Sequence, residues 1–320
     1  MRAAGAIVLV IVAVGAIGAS RLAPNDPNVR FDELLYAPPT TIHWIGGPHI
    51  YPLRVLSMRE RTFAVDESRA IPLRWFSEGR LVNGEPASGA PLLLLGADGL
   101  GRDIFSRLLY GARATLLVAV IATFGATIAG ALIGGISGQS AGWLDAVLSR
   151  TTEFVLVLPA IYVALSLRAV LPLILSASTV FLLLTGIFTL LGWPVVARGV
   201  RAIVLAERER DYAMAARAAG AGGTRLLTRH LLPAASGYVL TQATLLFPAF
   251  ILAEATMSFV GLGFPTEVAT WGTMLQDAAN VATLGDAPWA LAPAFAIFAV
   301  VLAVNLVVQG SGRAPVQLEP

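Results

Sequence analysis

Six long apolar runs, near residues 3–20, 114–137, 153–170, 177–197, 237–260 and 288–309, constrain this chain more than any other feature. Crossing about 30 Å of hydrocarbon takes roughly 20 helical residues. In lipid every backbone N–H and C=O must be satisfied within the structure, which leaves helices or closed barrels. No alternation of apolar and polar residues suggests a barrel, so the pattern predicts an all-α polytopic membrane protein with six transmembrane helices. Pro159, Pro194 and Pro248 fall inside or near the ends of runs, where kinks are tolerated. The charged fraction agrees: 13% is about half of the roughly 25% usual in soluble domains.

Other functions are narrowed by what the chain lacks. It has no cysteine, which removes disulfides and thiolate metal sites. Its basic residues are all Arg, and a net charge of +2 with no dense basic run gives no footprint for nucleic acid. Arg2 before the first run and Ala16, Gly18 and Ala19 at its end could belong to a signal peptide. The run is longer than the 7–15 residues of a signal core, so residues 1–22 read as an uncleaved helical anchor.

Residues 23–95 read as a small folded insert, rich in proline and carrying aromatics from Phe31 to Phe76. Within it, 71–86 predicts a hairpin turning at Glu78-Gly79 and stopping at Asn83-Gly84. The remainder, 96–320, is the membrane domain. Its loop 198–236 carries Arg198, Arg201, Arg208, Arg210, Arg217, Arg225 and Arg229, whereas 263–287 carries Glu267, Asp277 and Asp286 and no Arg. The positive-inside rule then puts 198–236 and both termini in the cytoplasm, and the insert outside.

The loop has internal order. Tyr212, Ala215, Ala216 and Ala219 fall on one helical face of small side chains. Gly220, Gly222 and Gly223 supply positions where φ can be positive and stop the helix. Thr224 is placed to cap a second short helix bearing Arg225 and Arg229, and Pro233 opens the next span. On periodicity alone this could equally be an amphipathic surface loop resting on lipid headgroups.

The order of residues adds to that reading. "AARAAGAGGTRLLTRHLLP" is similar to the EAA loop of ATP-binding-cassette import permeases, with Ala215, Ala216, Gly220, Leu232 and Pro233 at the signature positions and Met214 where the family has Glu. The segments 94–113, 138–160, 251–275 and 287–310 resemble, in order, those of the C-type subunit of dipeptide and oligopeptide permeases. The resemblance covers about 94–310. It implies the type I importer fold, a second similar permease, two cytoplasmic ATPases that bind ATP and Mg, and an external substrate-binding protein, in a bacterial inner membrane. It also implies that Tyr212, Ala215, Ala216, Arg217, Gly220, Arg225 and Arg229 form or flank the ATPase-docking surface. The chain's own glycine-rich "GAGGT" (220–224) has no Lys to hold a phosphate, so no cofactor is expected here and ATP would be hydrolysed in trans.

Other constellations carry less. "GQSAG" (138–142) and "GISG" (135–138) fit serine-hydrolase elbows around Ser140 and Ser137, but the histidines, His43, His49 and His230, all fall outside the runs. A self-contained channel or secondary carrier is the other alternative. Asp98 and Asp103 have a calcium-like spacing without the remaining ligands, and a solvated turn with an Asp103–Arg107 pair is expected instead. Glu254, deep in the fifth run, must face protein or water, as inter-helix packing or as part of the solute path. For Glu153, near the cytoplasmic headgroups, snorkelling or a local pair with Arg150 suffices, and Arg168 can also snorkel.

Overall fold

Helices carry the apolar runs as far as they are described, and short strands carry the insert, in a computed structural model that describes residues 1–77, 79–84, 90–140, 142–159, 162–163, 166, 175–279 and 281–309. Helices α1 (Arg2–Ile17) and α2 (Ala19–Leu22) precede strands β1 (Ile42–His43), β2 (His49–Ile50), β3 (Leu53–Ser57), β4 (Thr62–Val65), β5 (Ile71–Pro72), β6 (Arg74–Trp75) and β7 (Val82–Asn83). Then come α3 (Ile104–Gln139), α4 (Trp143–Val157), α5 (Ala177–Glu207), α6 (Asp211–Ala218) and α7 (Gly223–Leu226). A π-turn (Leu227–Leu231) leads into α8 (Leu232–Phe259), followed by α9 (Trp271–Asp277), α10 (Val281–Asp286), a 3-10 turn (Pro288–Leu291) and α11 (Ala292–Gln309).

Among the described residues, four stretches are long and apolar enough to cross a membrane: Ile104–Gln139, Ala177–Glu207, Gly223–Phe259 and Pro288–Val308. They contain the expected second and fourth spans and all but the last residue of the fifth and sixth. The first expected span is the 16-residue α1, followed beyond Gly18 by the single turn α2. Of the third, α4 carries the part to Val157; most of the rest, with Arg168, lies outside the described residues.

The chain divides into two compact units, residues 1–116 with 252–320, and residues 117–251. In the first, β1, β2 and β5 form an antiparallel sheet whose Ile50 and Ile71 are buried with Leu73, Ala90 and Leu92. β6 and β7 pair as a hairpin, Arg74 opposite Asn83 and Trp75 opposite Val82, with Gly79 at φ 76° in the turn; Glu78 lies outside the described residues. α1 packs against α11 so closely that a Cβ on Gly5 would lie 2.6 Å from the Ala303 carbonyl oxygen.

Ahead of α3 the expectation of a solvated turn fails. Asp98 and Asp103 are buried, and Arg107 approaches Asp98 (3.6 Å) rather than Asp103. Asp98 accepts from Arg102 Nε at 2.7 Å and from the backbone N–H groups of Leu100 and Arg102. Asp103 caps α3, accepting from the N–H groups of Phe105 and Ser106 and from the Asn25 side-chain amide. Burial pushes the Asp103 carboxyl above its ordinary range while these donors pull it back. Both carboxylates are consumed by donors and guanidinium groups, and among the described residues no three metal-ligating side chains converge. The turn is a buried polar knot because Arg102 and Arg107 fold over it, both reaching the Thr266 carbonyl.

In the second unit α3 and α5 meet along a stripe of glycines. A Cβ on Gly130, Gly134 or Gly138 would lie 2.7 Å from the Trp193 carbonyl oxygen, 2.3 Å from that of Ala197 and 2.7 Å from that of Arg201. Small residues four apart let two backbones touch, which is how helices associate where lipid offers no hydrophobic drive.

Candidate functional site

The expected loop 198–236 is mostly helix. Residues 198–207 extend α5 ten residues past the apolar run, since Ala, Arg, Glu and Leu propagate a helix already begun. Arg208 then turns away from the axis, its Nη1 donating to the carbonyls of Gly138 (3.1 Å) and Ser140 (3.3 Å) at the end of α3. What projects is α6, with Asp211 in its first turn and Arg217 in its last, each placed as the helix dipole favours.

α6 is seated by Ala213, fully buried among Val196, Val200, Val204, Leu226, Leu227, Leu231 and Ala235, with Ala216 half-buried on the same cluster. The expected small face is therefore split: Ala216 turns inward, while Tyr212, Ala215 and Ala219 are exposed beside Met214 and Arg217. Tyr212 is tied back by its hydroxyl, which donates to Glu207 at 2.7 Å. Burial, and then the Glu207 carboxylate, hold that phenol above its usual pKa, so it stays a neutral donor at physiological pH.

Gly220 ends the helix at φ 85°. The Ala221 N–H bonds to the Ala216 carbonyl and the Gly220 N–H to that of Arg217, a Schellman cap that needs a left-handed residue at this position. Gly222 and Gly223 do not share the positive φ: Gly222 is extended (φ −64°, ψ 159°) and Gly223 is the first residue of α7. The expected Thr224 cap is absent for the same reason. The helix starts two residues earlier than a Thr224 cap would set it, with Gly222 in the cap position, and the Thr224 carbonyl already accepts from the Thr228 hydroxyl. Gln139 Nε2 donates to the Gly223 carbonyl at 2.7 Å, fixing this break to the end of α3.

Arg225 and Arg229 are exposed on the outer side of α7 and the π-turn, whose Leu226, Leu227 and Leu231 face the core. Pro233 does not open a new helix but sits inside one that runs on through the wide turn. The Leu232 N–H reaches back five residues to the Leu227 carbonyl. Proline has no N–H to give and crowds the carbonyl four residues back, and the widened turn falls on that segment. The knob thus brings Tyr212, Ala215, Arg217, Gly220, Arg225 and Arg229 to exposed positions and withdraws Ala216.

Beside the knob lies a cluster not foreseen from the sequence. Ser137, Ser149 and Arg201 line a cavity of about 70 Å³, and all three hydrogen-bond to Asp145. Ser137 Oγ donates to Asp145 Oδ1 at 2.6 Å, and both Asp145 oxygens are held by Arg201. Among the described residues Ser137 hydrogen-bonds to no imidazole, and the carboxylate it does meet is made a weaker base by Arg201.

Glu254 belongs to the other unit. It is fully buried, accepting from Thr115 Oγ1 (2.7 Å) and Ser258 Oγ (2.8 Å), while Thr115 Oγ1 itself accepts from the Trp271 N–H (3.2 Å). Three helices meet at this carboxyl. Arg150 and Glu153 make an exposed pair at 3.1 Å.

Residues 126–314 match the family described as binding-protein-dependent transport system inner membrane component. The chain is also similar to a protein of Brucella ovis provisionally named a peptide permease, 40% identical over 216 residues, covering 67% of this chain and 70% of that one. A dipeptide transport system permease protein of Alkalihalophilus pseudofirmus is 36% identical over 216 residues, covering 67% and 68%. A Brucella suis protein, provisionally named a peptide transport system permease, is 39% identical over 223 residues, covering 68% and 71%.

Proposed function

The chain belongs to the family of binding-protein-dependent transport system inner membrane components, and on that premise we propose that it is the transmembrane permease subunit of an ATP-driven importer of di- or oligopeptides. In this reading six membrane helices form the solute path together with a second, similar permease. The insert 23–95 faces outward towards a substrate-binding protein, and both termini lie in the cytoplasm of a bacterial inner membrane. Each permease of the pair docks one of two ATPase subunits, this chain on the knob through Tyr212, Ala215, Arg217, Gly220, Arg225 and Arg229, with Ala216 bracing it from within. ATP and Mg are bound by those partners. Nucleotide stabilises one of two arrangements of the permease pair, and a ligand shifts such an equilibrium only by its differential affinity for the two states.

One observation carries this reading: a short helix with Ala215, Ala218 and Ala219 outward, locked at one end by the Gly220 cap and seated on Ala213. A partner can approach its backbone closely, and the helix is joined to α5 and α8 on either side. Reconstitution with and without the ATPases tests it. Uptake should require them, and Ala219→Trp, at an exposed site, should abolish uptake while leaving membrane insertion unchanged. Solute movement by the permease alone would instead support a self-contained channel or carrier, and fluorophosphonate labelling of Ser137 or Ser140 a hydrolase.

A further inference from the structure

Two of the chain's three histidines, His43 and His49, are direct cross-strand partners in the β1–β2 pair. Their rings stack with centroids 5.6 Å apart and planes 25° from parallel. Tyr51 stands edge-on to both rings, at 4.9 and 5.1 Å. His49 Nδ1 lies 2.8 Å from the Gly47 carbonyl oxygen. A carbonyl can only accept, so this contact assigns the proton to Nδ1 and leaves the Nε2 lone pair available. An imidazole whose tautomer is set by a backbone carbonyl is in the state in which histidine ligates metals.

The hairpin presents the pair without needing an ion to build it. Gly46 and Gly47, at φ 85° and 106°, turn the chain between the strands, and Ile50 anchors β2 in the core of the sheet. Opposed residues on antiparallel strands carry Cβ atoms about 4.5–5.5 Å apart. Two nitrogens each about 2.0–2.1 Å from a shared ion lie about 3 Å from one another, which ring rotation spans from that starting point. His43 is exposed, whereas His49 is half-buried and held by the Gly47 carbonyl.

We propose that His43 and His49 form a two-imidazole site for a late first-row divalent cation, copper(II) ahead of nickel(II) and zinc(II). Imidazole suits these ions, and their order follows the general rise in stability up to copper. Magnesium and calcium prefer oxygen donors and are excluded by the same chemistry. Among the described residues no third His, Asp or Glu joins the pair, so water fills the remaining positions and the bound ion is exchangeable. The inference does not depend on the transport reading.

The test uses the full chain in detergent, without a polyhistidine tag, titrated separately with copper(II), nickel(II), zinc(II) and magnesium by calorimetry. Copper(II) electron spin resonance reads the number of coordinated nitrogens. One copper per chain with two nitrogen couplings is expected, with no heat from magnesium. His43→Ala and His49→Ala should each weaken binding about tenfold or more and remove one coupling. His43→Gln, which keeps a polar side chain at this exposed position, should match His43→Ala with an unchanged circular dichroism spectrum. His230→Ala, in the other unit, should titrate like the wild type. Indistinguishable titrations of the wild type and the His43→Ala/His49→Ala double variant would overturn the proposal, as would the same nitrogen signature in both.

Discussion

Arg201 grips Asp145 in a two-pronged contact, Nε to Oδ1 and Nη2 to Oδ2, both at 2.7 Å. The residues stand 56 positions apart, on α5 and α4, and Ser137 of α3 donates to the same carboxylate. Three helices of one unit are thereby pinned at a single anion, immediately beside the knob.

That grip predicts a pH dependence. The Arg201 guanidinium holds the Asp145 carboxyl well below the ordinary carboxylate range. A depressed folded pKa adds stability that is complete above the unfolded value, about 3.9, and is lost as pH falls through the folded one. Asp145→Asn should lose roughly 1.5–3 kcal/mol of charge-assisted bonding. Thermal unfolding in detergent should show a constant gap between wild type and variant from neutral pH down to about 5, closing below about 4.

Gly134→Val should be worse than its apolar chemistry suggests. A Cβ there would meet the Ala197 carbonyl oxygen at 2.3 Å, and backbone cannot rotate out of the way. Overpacking of this kind costs about 1–3 kcal/mol. Gly186→Val on α5, where a Cβ meets nothing within 4 Å, is the matched control and should leave the detergent melting point unchanged.

Gly220→Val separates strain from crowding. Nothing lies within 4 Å of a Cβ at this position, so the cost is backbone strain alone, about 1–3 kcal/mol for a left-handed β-branched residue. The Schellman cap should open and the α6–α7 break become mobile, with ATP hydrolysis uncoupled from uptake in the reconstituted transporter and membrane insertion unaffected. Unchanged uptake would remove the docking role assigned to this bend.

Glu254 offers a graded series. Glu254→Gln keeps one carbonyl acceptor and should cost about 1 kcal/mol, whereas Glu254→Leu strands the Thr115 and Ser258 hydroxyls and should cost about 2–6 kcal/mol for two buried unpaired donors. A solute-lining role predicts lost uptake in both at unchanged melting temperature. A packing role predicts that uptake follows the melting temperature.

The apolar runs, the helix at 211 and its glycine stop were legible because each is local: length, period and a residue that tolerates positive φ. Which alanine of α6 turns inward was not, since Ala213, Ala215, Ala216, Ala218 and Ala219 present nearly the same surface on every side, and only contact with Val200 and Leu231 selects Ala213. The Asp145–Arg201 fork and the Arg107–Asp98 approach were invisible for a different reason. Arg107 has Asp103 one turn away yet approaches Asp98, and Arg201 lies 56 residues from Asp145, so only the tertiary fold selects these partners. The π-turn also leaves no composition signal beyond Pro233 itself.

The glycine stripe has a mechanical corollary. Where two helices touch main chain to main chain at Gly130, Gly134 and Gly138, there are few rotamers between them to absorb a shove. Such a pair behaves as one stiff beam, and a push delivered at its knob end arrives at the far end as displacement instead of being spent on reshuffled side chains.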